Sequence, residues 1–325
     1  MRIVDVSMFF NEINLLEIRL EALVDYIDQF IVIESNQTFS GKYKKHILPE
    51  LSNLKKRYGD KLKIISRDEN FLNYDHLLDN LSKKNNNFSK KESSYLKKIM
   101  IDHNHYDKSK INLLLDSFQR EACSIYIDRY TDSNDLIIFS DADELPDNLN
   151  EVHNYFSGNK LKPISLKQHE FWYYPNIFHD SNWEGSIAGY SKDLKIKSLN
   201  WFRIKDKSKR INTITLPTIN GYHLTNMGGV EKLKEKIKNW THQEYNNFHI
   251  MLSLEEKIIS GEDIFMRSTG TVTKLIKFEE FYSDKYKIAI INSSLPKAKL
   301  LKEKSSNKFK KFLNKVILKF FNFFR

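Results

Sequence analysis

An α/β protein, with a mostly parallel sheet flanked by helices, is the class this sequence predicts, and three observations carry it. Short apolar runs recur at Ile3-Val4-Asp5-Val6, Phe30-Ile31-Val32-Ile33, Leu62-Lys63-Ile64-Ile65 and Leu136-Ile137-Ile138-Phe139. Segments of helical period separate them, and a β-α-β order argues for parallel strands with helices on both faces. The second and fourth runs end on acids, Glu34 and Asp141, as strands do when their carboxyl ends border a ligand crevice.

In chain order, the first strand leads into a helix predicted from Ile13 to Tyr26, where Ile13, Leu16, Leu20, Leu23, Val24 and Ile27 recur at helical spacing. A second helix is expected from about His46 to Tyr58, before the third strand. From Asn73 to Lys110 the chain turns polar and rich in Lys and Asn, and reads as a solvated loop or insertion. A helix over Ile111–Tyr130 delivers the Leu136 strand. Beyond Pro163 lie Phe171, Trp172, Tyr173, Tyr174, Trp183 and Trp201, which either build a sugar-stacking acceptor platform or pack a core. Asn220–Leu224 reads as a late strand, Gly228-Gly229 as a turn, Val230–Tyr245 as a helix and Leu254–Ile259 as a further helical piece.

The 325 residues suffice for a sizeable core. A single cysteine, Cys123, rules out an intramolecular disulfide framework and a thiolate zinc site, and reads as a core residue in a reducing compartment. No apolar run is long enough to span a bilayer, and the first strand starts too early for a signal peptide, so a cytoplasmic location is expected. With ten glycines and no Gly-rich phosphate loop, a Rossmann dinucleotide fingerprint is absent.

The chemistry concentrates at Ser140-Asp141-Ala142-Asp143-Glu144-Leu145-Pro146. Asp141 and Asp143 share one face of an extended backbone, and two like charges so close raise each other's pKa unless a cation lies between them. A hard divalent ion, Mn²⁺ or Mg²⁺, would resolve that conflict and also hold a diphosphate. The competing reading has Asp141 ending the strand and the other acids capping a helix after Pro146.

Five ordered stretches resemble glycosyltransferase family 17. They are Met8-Phe9-Phe10-Asn11-Glu12 with Leu16-Glu17-Ile18-Arg19-Leu20; Ile33-Glu34 with Thr38-Phe39-Ser40-Gly41; Gln119-Arg120; the Asp141 motif; and Gly228-Gly229 through Trp240-Thr241-His242-Gln243-Glu244 to Gly261-Glu262-Asp263-Ile264-Phe265-Met266-Arg267. The resemblance implies a GT-A-type fold over residues 1–295, with a donor half of about 1–146 and an acceptor half of about 147–295. It also implies a nucleotide-sugar donor, UDP-GlcNAc in the best-known members, a Mn²⁺-type cation and inverting transfer to a glycan or glycolipid hydroxyl. The late strand departs from the family pattern, reading Gly221-Tyr222-His223-Leu224 where many relatives carry Trp and Cys, and an amino-terminal anchor like that of the animal enzymes is not expected.

On that reading Asp141 and Asp143 bind metal and diphosphate, with His223 as a further metal contact or a structural hydrogen-bonder. Glu144 orders the loop, hydrogen-bonds the donor sugar or caps a helix. Phe10 and Asn11 lie where the nucleotide base would sit. Glu34 accepts from uracil or ribose, or pairs with a lysine. Arg120 pairs with Asp141 or a phosphate. Asp263 and Glu244 lead as the catalytic base, with Glu170 and Glu184 behind, the alternative for Asp263 being a helix cap paired with Arg267.

The last 29 residues, Lys297 to Arg325, hold ten basic residues against Glu303 alone, so nearly all of the net charge of +10 sits there. Phe309, Phe312, Leu313, Val316, Ile317, Phe320, Phe321 and Phe324 recur at i, i+3, i+4 spacing, giving a basic amphipathic tail over 296–325. This suits an anionic membrane surface better than nucleic acid, the other possibility being a helix docked on the domain. Two other readings share the fold: a sugar nucleotidyltransferase, which usually wants a basic Gly-rich first loop, and a non-catalytic carbohydrate- or membrane-binding protein. The sequence is silent on oligomeric state.

Overall fold

The computed structural model of the chain describes residues 1–83, 87–103, 106–158, 162–195, 198–203, 213–265 and 273–298. The strands are β1 (Ile3–Phe9), β2 (Gln29–Ser35), β3 (Leu62–Arg67), β4 (Leu136–Asp141), β5 (Glu144–Pro146), β6 (Ile164–Trp172), β7 (Ile177–Trp183), β8 (Ile187–Tyr190), β9 (Ile214–Thr225) and β10 (Lys274–Leu275). The helices are α1 (Ile13–Leu23), α2 (Ser52–Tyr58), α3 (Tyr74–Ser82), α4 (Lys90–Asp102), α5 (Ile111–Tyr130), α6 (Leu149–Ser157), α7 (Ser191–Lys195), α8 (Leu199–Arg203), α9 (Gly229–Asn239), α10 (Phe248–Ser260), α11 (Phe278–Phe281) and α12 (Asp284–Asn292).

One sheet runs in the order β10-β7-β6-β8-β4-β1-β2-β3, and β9 joins β5 to β6. The β4-β1-β2-β3 half is parallel, as the β-α-β order requires, whereas β8, β6, β7 and β10 pair antiparallel. The predicted α/β class holds, with the antiparallel half built from the aromatic-rich second region. Continuous apolar runs in β1, β2 and β4 follow from burial on both faces. Leu136 and Ile138 join a core with Leu16, Phe30 and Tyr286, while Ile137 and Phe139 join one with Val6, Ile33 and Cys123. Cys123 is the buried core residue the sequence suggested, and burial pushes its thiol up to about 12.

Several boundaries differ from expectation for identifiable reasons. Pro49 breaks the helix expected over 46–58 into a 3₁₀ turn at Leu48–Glu50 and α2. The polar 73–110 stretch contains α3 and α4. Asn73 caps the first, a Ser89/Glu92 capping box starts the second, and sparse apolar residues (Leu77, Leu81, Leu96, Met100) pack on α5. The helix expected over 230–245 ends at Asn239, and Trp240, His242 and Glu244 follow in a separate turn. Among the described residues no helix is long and apolar enough to cross a membrane. The amphipathic tail lies almost wholly outside the described residues.

One buried ion pair joins the sheet to the acidic turn. Arg19 on α1 is fully buried, and its guanidinium donates to Asp5 Oδ1 and Oδ2 at 2.6 and 2.7 Å. It also donates to Ser140 Oγ at 2.5 Å and to the Glu144 carbonyl at 2.7 Å. Removing one partner of a buried pair strands the other charge, at a cost of about 3–5 kcal/mol. Arg19→Met should therefore lower stability to urea by that amount, with the double change Asp5→Asn/Arg19→Met recovering part of it. A loss below about 1 kcal/mol in the single variant would contradict the assignment.

Candidate active site

The parallel half of the sheet directs the carboxyl ends of β1, β2 and β4 into a cleft of about 320 Å³, and the antiparallel half supplies its opposite wall. Met8 pairs in register with Asp141, so the end of β1 and the start of the acidic turn meet at the cleft floor. On the far wall Glu144 on β5 and Glu170 on β6 both pair in register with His223 on β9. This row sets an imidazole between two carboxylate-bearing strands.

Asp141 is gripped by arginines. Arg120 Nη2 donates to its Oδ1 and Oδ2 at 3.3 and 3.2 Å, and Arg203 Nη2 donates to Oδ2 at 2.8 Å. Both arginines are anchored in turn, Arg120 by Asp116 at 3.1 Å and Arg203 by Glu144 at 2.8 and 3.1 Å. The Arg120 pairing is one of the two the sequence offered for that arginine, and two guanidiniums cover the Asp141 oxygens.

Asp143 has a different setting. Lys236 on α9 donates to its Oδ2 at 3.1 Å, and His223 Nε2 stands 3.7 Å from Oδ1. Burial alone would raise the Asp143 pKa, but Lys236 and His223 outweigh it and hold the group well below the ordinary 3.8. Burial would lower His223 and Lys236, and the facing carboxylates raise both instead, Asp143 foremost. The buried His223 Nδ1 has no hydrogen-bond partner; Glu170 Oε1 lies 3.8 Å away. Trp183 stacks on the His223 ring at 4.1 Å and donates its indole N–H to Glu144 at 2.9 Å.

Glu144 is completely buried beneath the cleft, accepting from Trp183, Ser186 and Arg203. It orders the loop and neither lines the cleft nor caps a helix. Gly185 leaves room for it, since a Cβ there would lie 1.7 Å from Glu144 Oε1.

The remaining sequence candidates divide. Phe10 lines the cleft, with Lys44 Nζ 5.6 Å from its ring centroid, and Arg120 and His223 line it too. Asn11 sits just outside, its N–H donating to Glu12 Oε2 at 3.0 Å. Of the two readings of Glu34, the lysine pair is the one formed: fully buried, it pairs with Lys44 and accepts from the Ile47 and Leu48 N–H groups at 2.8–3.0 and 2.9 Å. Neither leading base candidate reaches the cleft. Asp263 accepts from the Phe265 N–H at 3.0 Å within its own turn, and exposed Glu244 pairs with His242 at 2.9 Å. Its suggested partner Arg267 lies outside the described residues. Glu184 accepts from Thr215 at 2.8 Å and is likewise off the cleft.

Glu170 is the carboxylate that faces the cleft from the second half, held by Trp172 Nε1 at 2.9 Å. Of the aromatics, Trp183 lines the cleft, whereas Phe171, Trp172 and Tyr173 are buried in cores. Sequence reasoning missed Lys236 and Arg203. Lys236 is one of four lysines in α9 and nothing local singles it out, and Arg203 reaches the acidic turn only through tertiary packing.

A carboxylate with a depressed folded pKa contributes stability above its unfolded value, and loses it as pH falls through the folded one. The Asp143 contribution is therefore full above the ordinary 3.8 and is lost below it. Urea unfolding between about pH 6 and pH 2 should show a steeper acid loss for wild type than for Asp143→Asn; equal slopes would contradict the pairing.

The model of glycosyltransferase family 17 matches residues 1–68, which hold β1, α1, β2, α2 and β3. No curated protein matches the sequence. Among solved structures the chain is similar to the galactosyltransferase LgtC in complex with donor and acceptor sugar analogs (12% identity, 70% of this chain and 87% of that one, TM-score 0.31). It is similar also to 4-diphosphocytidyl-2C-methyl-D-erythritol synthase from Anaerococcus prevotii (9% identity, 66% and 86%, TM-score 0.31). A third likeness is to mouse xyloside xylosyltransferase 1 (11% identity, 51% and 52%, TM-score 0.26). Scores this low say nothing about chemistry. The family match thus covers the opening β1–β3 segment, whose first two strands end at the cleft.

Proposed function

We propose that the chain is a metal-dependent inverting glycosyltransferase, taking a UDP-sugar, UDP-GlcNAc first among them, and passing the sugar to a hydroxyl of a glycan or glycolipid. The observation that carries this reading is the pairing across the cleft: Asp143 at the end of the β4 turn faces Glu170 on β6, with His223 between them. Inversion needs one carboxylate opposite the leaving group, and with Asp143 beside the diphosphate Glu170 would supply it.

A divalent cation fits part of this site. Asp143 would offer the hard oxygens, and Mn²⁺ or Mg²⁺ commonly uses one or two carboxylates with substrate phosphates completing the shell; His223 turns Nε2 towards Asp143 and its orphaned Nδ1 towards Glu170. Among the described residues no group of three His, Cys, Asp or Glu could hold such an ion, so substrate oxygens would have to supply most of its shell. When bound, the ion would neutralise charge developing on the leaving diphosphate. Asp141 contributes by fixing Arg120 at the cleft wall, where the guanidinium can accompany a phosphate. Glu170 accepts the proton of the acceptor hydroxyl as that oxygen attacks the anomeric carbon and the bond to the diphosphate breaks. Phe9 and Phe10 give an apolar wall at the β1 end for a nucleobase. The basic tail supports an acceptor presented on an anionic membrane surface.

Nucleotide release from UDP-, GDP- and CMP-sugars tests this. With Mn²⁺, a UDP-sugar should be turned over slowly without acceptor, with loss in EDTA and in Asp143→Ala. Glu170→Gln should lower acceptor-dependent kcat by about 10²–10⁴-fold while donor binding persists. Release of inorganic pyrophosphate from a nucleoside triphosphate as a sugar phosphate takes the nucleotidyl group would favour nucleotidyl transfer instead. Absence of turnover and of donor-induced thermal stabilisation would remove the enzyme reading.

A further inference from the structure

Along β9 the side chains alternate as a strand requires, until its end. Tyr222 and Leu224 pack in the core, while His223 and Thr225 line the cleft. Residue 226 belongs by parity to the core side, yet Asn226 lines the cleft as well. Its backbone explains the switch, since a φ of 62° lies in the left-handed region and turns the chain off the strand. Asparagine tolerates that conformation better than most side chains, and glycine adopts it freely. Backbone shape alone therefore does not account for a side chain at this place.

What the side chain brings is an unanswered hydrogen-bond acceptor. Asn226 is 7% exposed, and its buried Oδ1 has no partner among the described residues. Such a group has lost its hydration without return, and native structures keep few of them. Its chemistry selects what could satisfy it. Other unpartnered buried atoms on cleft-lining side chains include Arg67 Nε, Arg120 Nε and Trp240 Nε1, all donors that suit anionic or carbonyl oxygens. An ionised diphosphate only accepts, so it serves those atoms and not Asn226 Oδ1. The partner of Asn226 has to donate.

Position narrows the choice. The Leu224 N–H donates to the Asp143 carbonyl at 2.8 Å, so β9 brings Thr225 and Asn226 out beside the acidic turn. Glu170 pairs in register with His223, three residues before Asn226 and about 10 Å from it at the rise of a strand. That is about the reach of one pyranose ring hydrogen-bonded at both ends. A nucleobase goes to the wall of Phe9 and Phe10 in the reading above, which leaves sugar hydroxyls as the donors within reach.

Resting on the glycosyl-transfer reading above, we propose that Asn226 is a specificity-determining residue that accepts a hydrogen bond at Oδ1 from one sugar hydroxyl in the cleft. It selects among sugars by whether a hydroxyl stands at that place. The sugar of the donor and the sugar of the acceptor share this chemistry, and the test separates them.

Isothermal titration of the full chain, with and without Mn²⁺, compares UDP with UDP-glucose, UDP-GlcNAc and singly deoxygenated forms of each. A second arm adds methyl glucoside, galactoside, mannoside and N-acetylglucosaminide, with their deoxy forms, to the UDP complex and reads binding by saturation-transfer NMR. Asn226→Gly keeps the left-handed backbone and removes the side chain. It should weaken the sugar that the site holds by about 2- to 12-fold, the span of one hydrogen bond. The form lacking the recognised hydroxyl should bind wild type and variant alike, whereas the other deoxy forms should still lose affinity in the variant. A loss in the UDP-sugar arm assigns the hydroxyl to the donor, and a loss in the glycoside arm assigns it to the acceptor. An Asn226→Gly that binds every sugar as wild type does, or that weakens all deoxy forms and their parent alike, would overturn the proposal. So would a wild type that binds UDP but no sugar in either arm. Failure of wild type to bind UDP would instead remove the reading on which the proposal rests, so the two failures are distinct.

Discussion

The guanidinium of Arg19, buried without access to water, is the constraint on which the site depends. An arginine in such a place persists only with its donors satisfied, and four groups satisfy it: Asp5 within β1, the Ser140 hydroxyl, and the carbonyls of Asp141 and Glu144. The pair therefore does two things at once. It locks α1 to the first strand, and it holds the backbone where β4 stops and β5 begins. That hold fixes the backbone from which Asp141 and Asp143 reach the cleft, with Arg203 also bracing Asp141 and Glu144.

From this turn the acids diverge in role because their surroundings diverge. Glu144 points into the protein and becomes a post for Trp183 and Arg203. Asp141 collects two guanidiniums, and Asp143 projects between Lys236 and His223. Four consecutive residues thus give a buried strut, a clamp for arginines and a cleft carboxylate. The strand row through His223 then brings Glu170 from the other half of the sheet, so that the cleft joins two regions distant in sequence.

How much of this the sequence carried follows from the range of the interactions. The four parallel strands were legible because burial on both faces writes itself as continuous apolar runs, and the Asp141 motif was legible because it is contiguous. The α3–α4 pair was not, because its helices rest on caps and a few apolar positions within a lysine- and asparagine-rich stretch. Asp263 drew attention by following a glycine, yet its carboxylate is taken up by its own turn. Glu34 looked like a crevice acid and is spent on the 44–48 loop. Lys236 and Arg203 carry no local signal at all: each matters only through a contact roughly 60 to 90 positions away in the chain.

The most direct measurement of the account is anomalous diffraction at the manganese edge from crystals grown with Mn²⁺ and UDP. The account predicts one strong peak beside Asp143 in the cleft, with UDP density reaching towards Phe10 and with Arg120 and Arg203 still on Asp141. A manganese peak bridging both aspartates, with the arginines displaced, would contradict the division of roles between them. Nucleotide density elsewhere on the molecule would contradict the site itself.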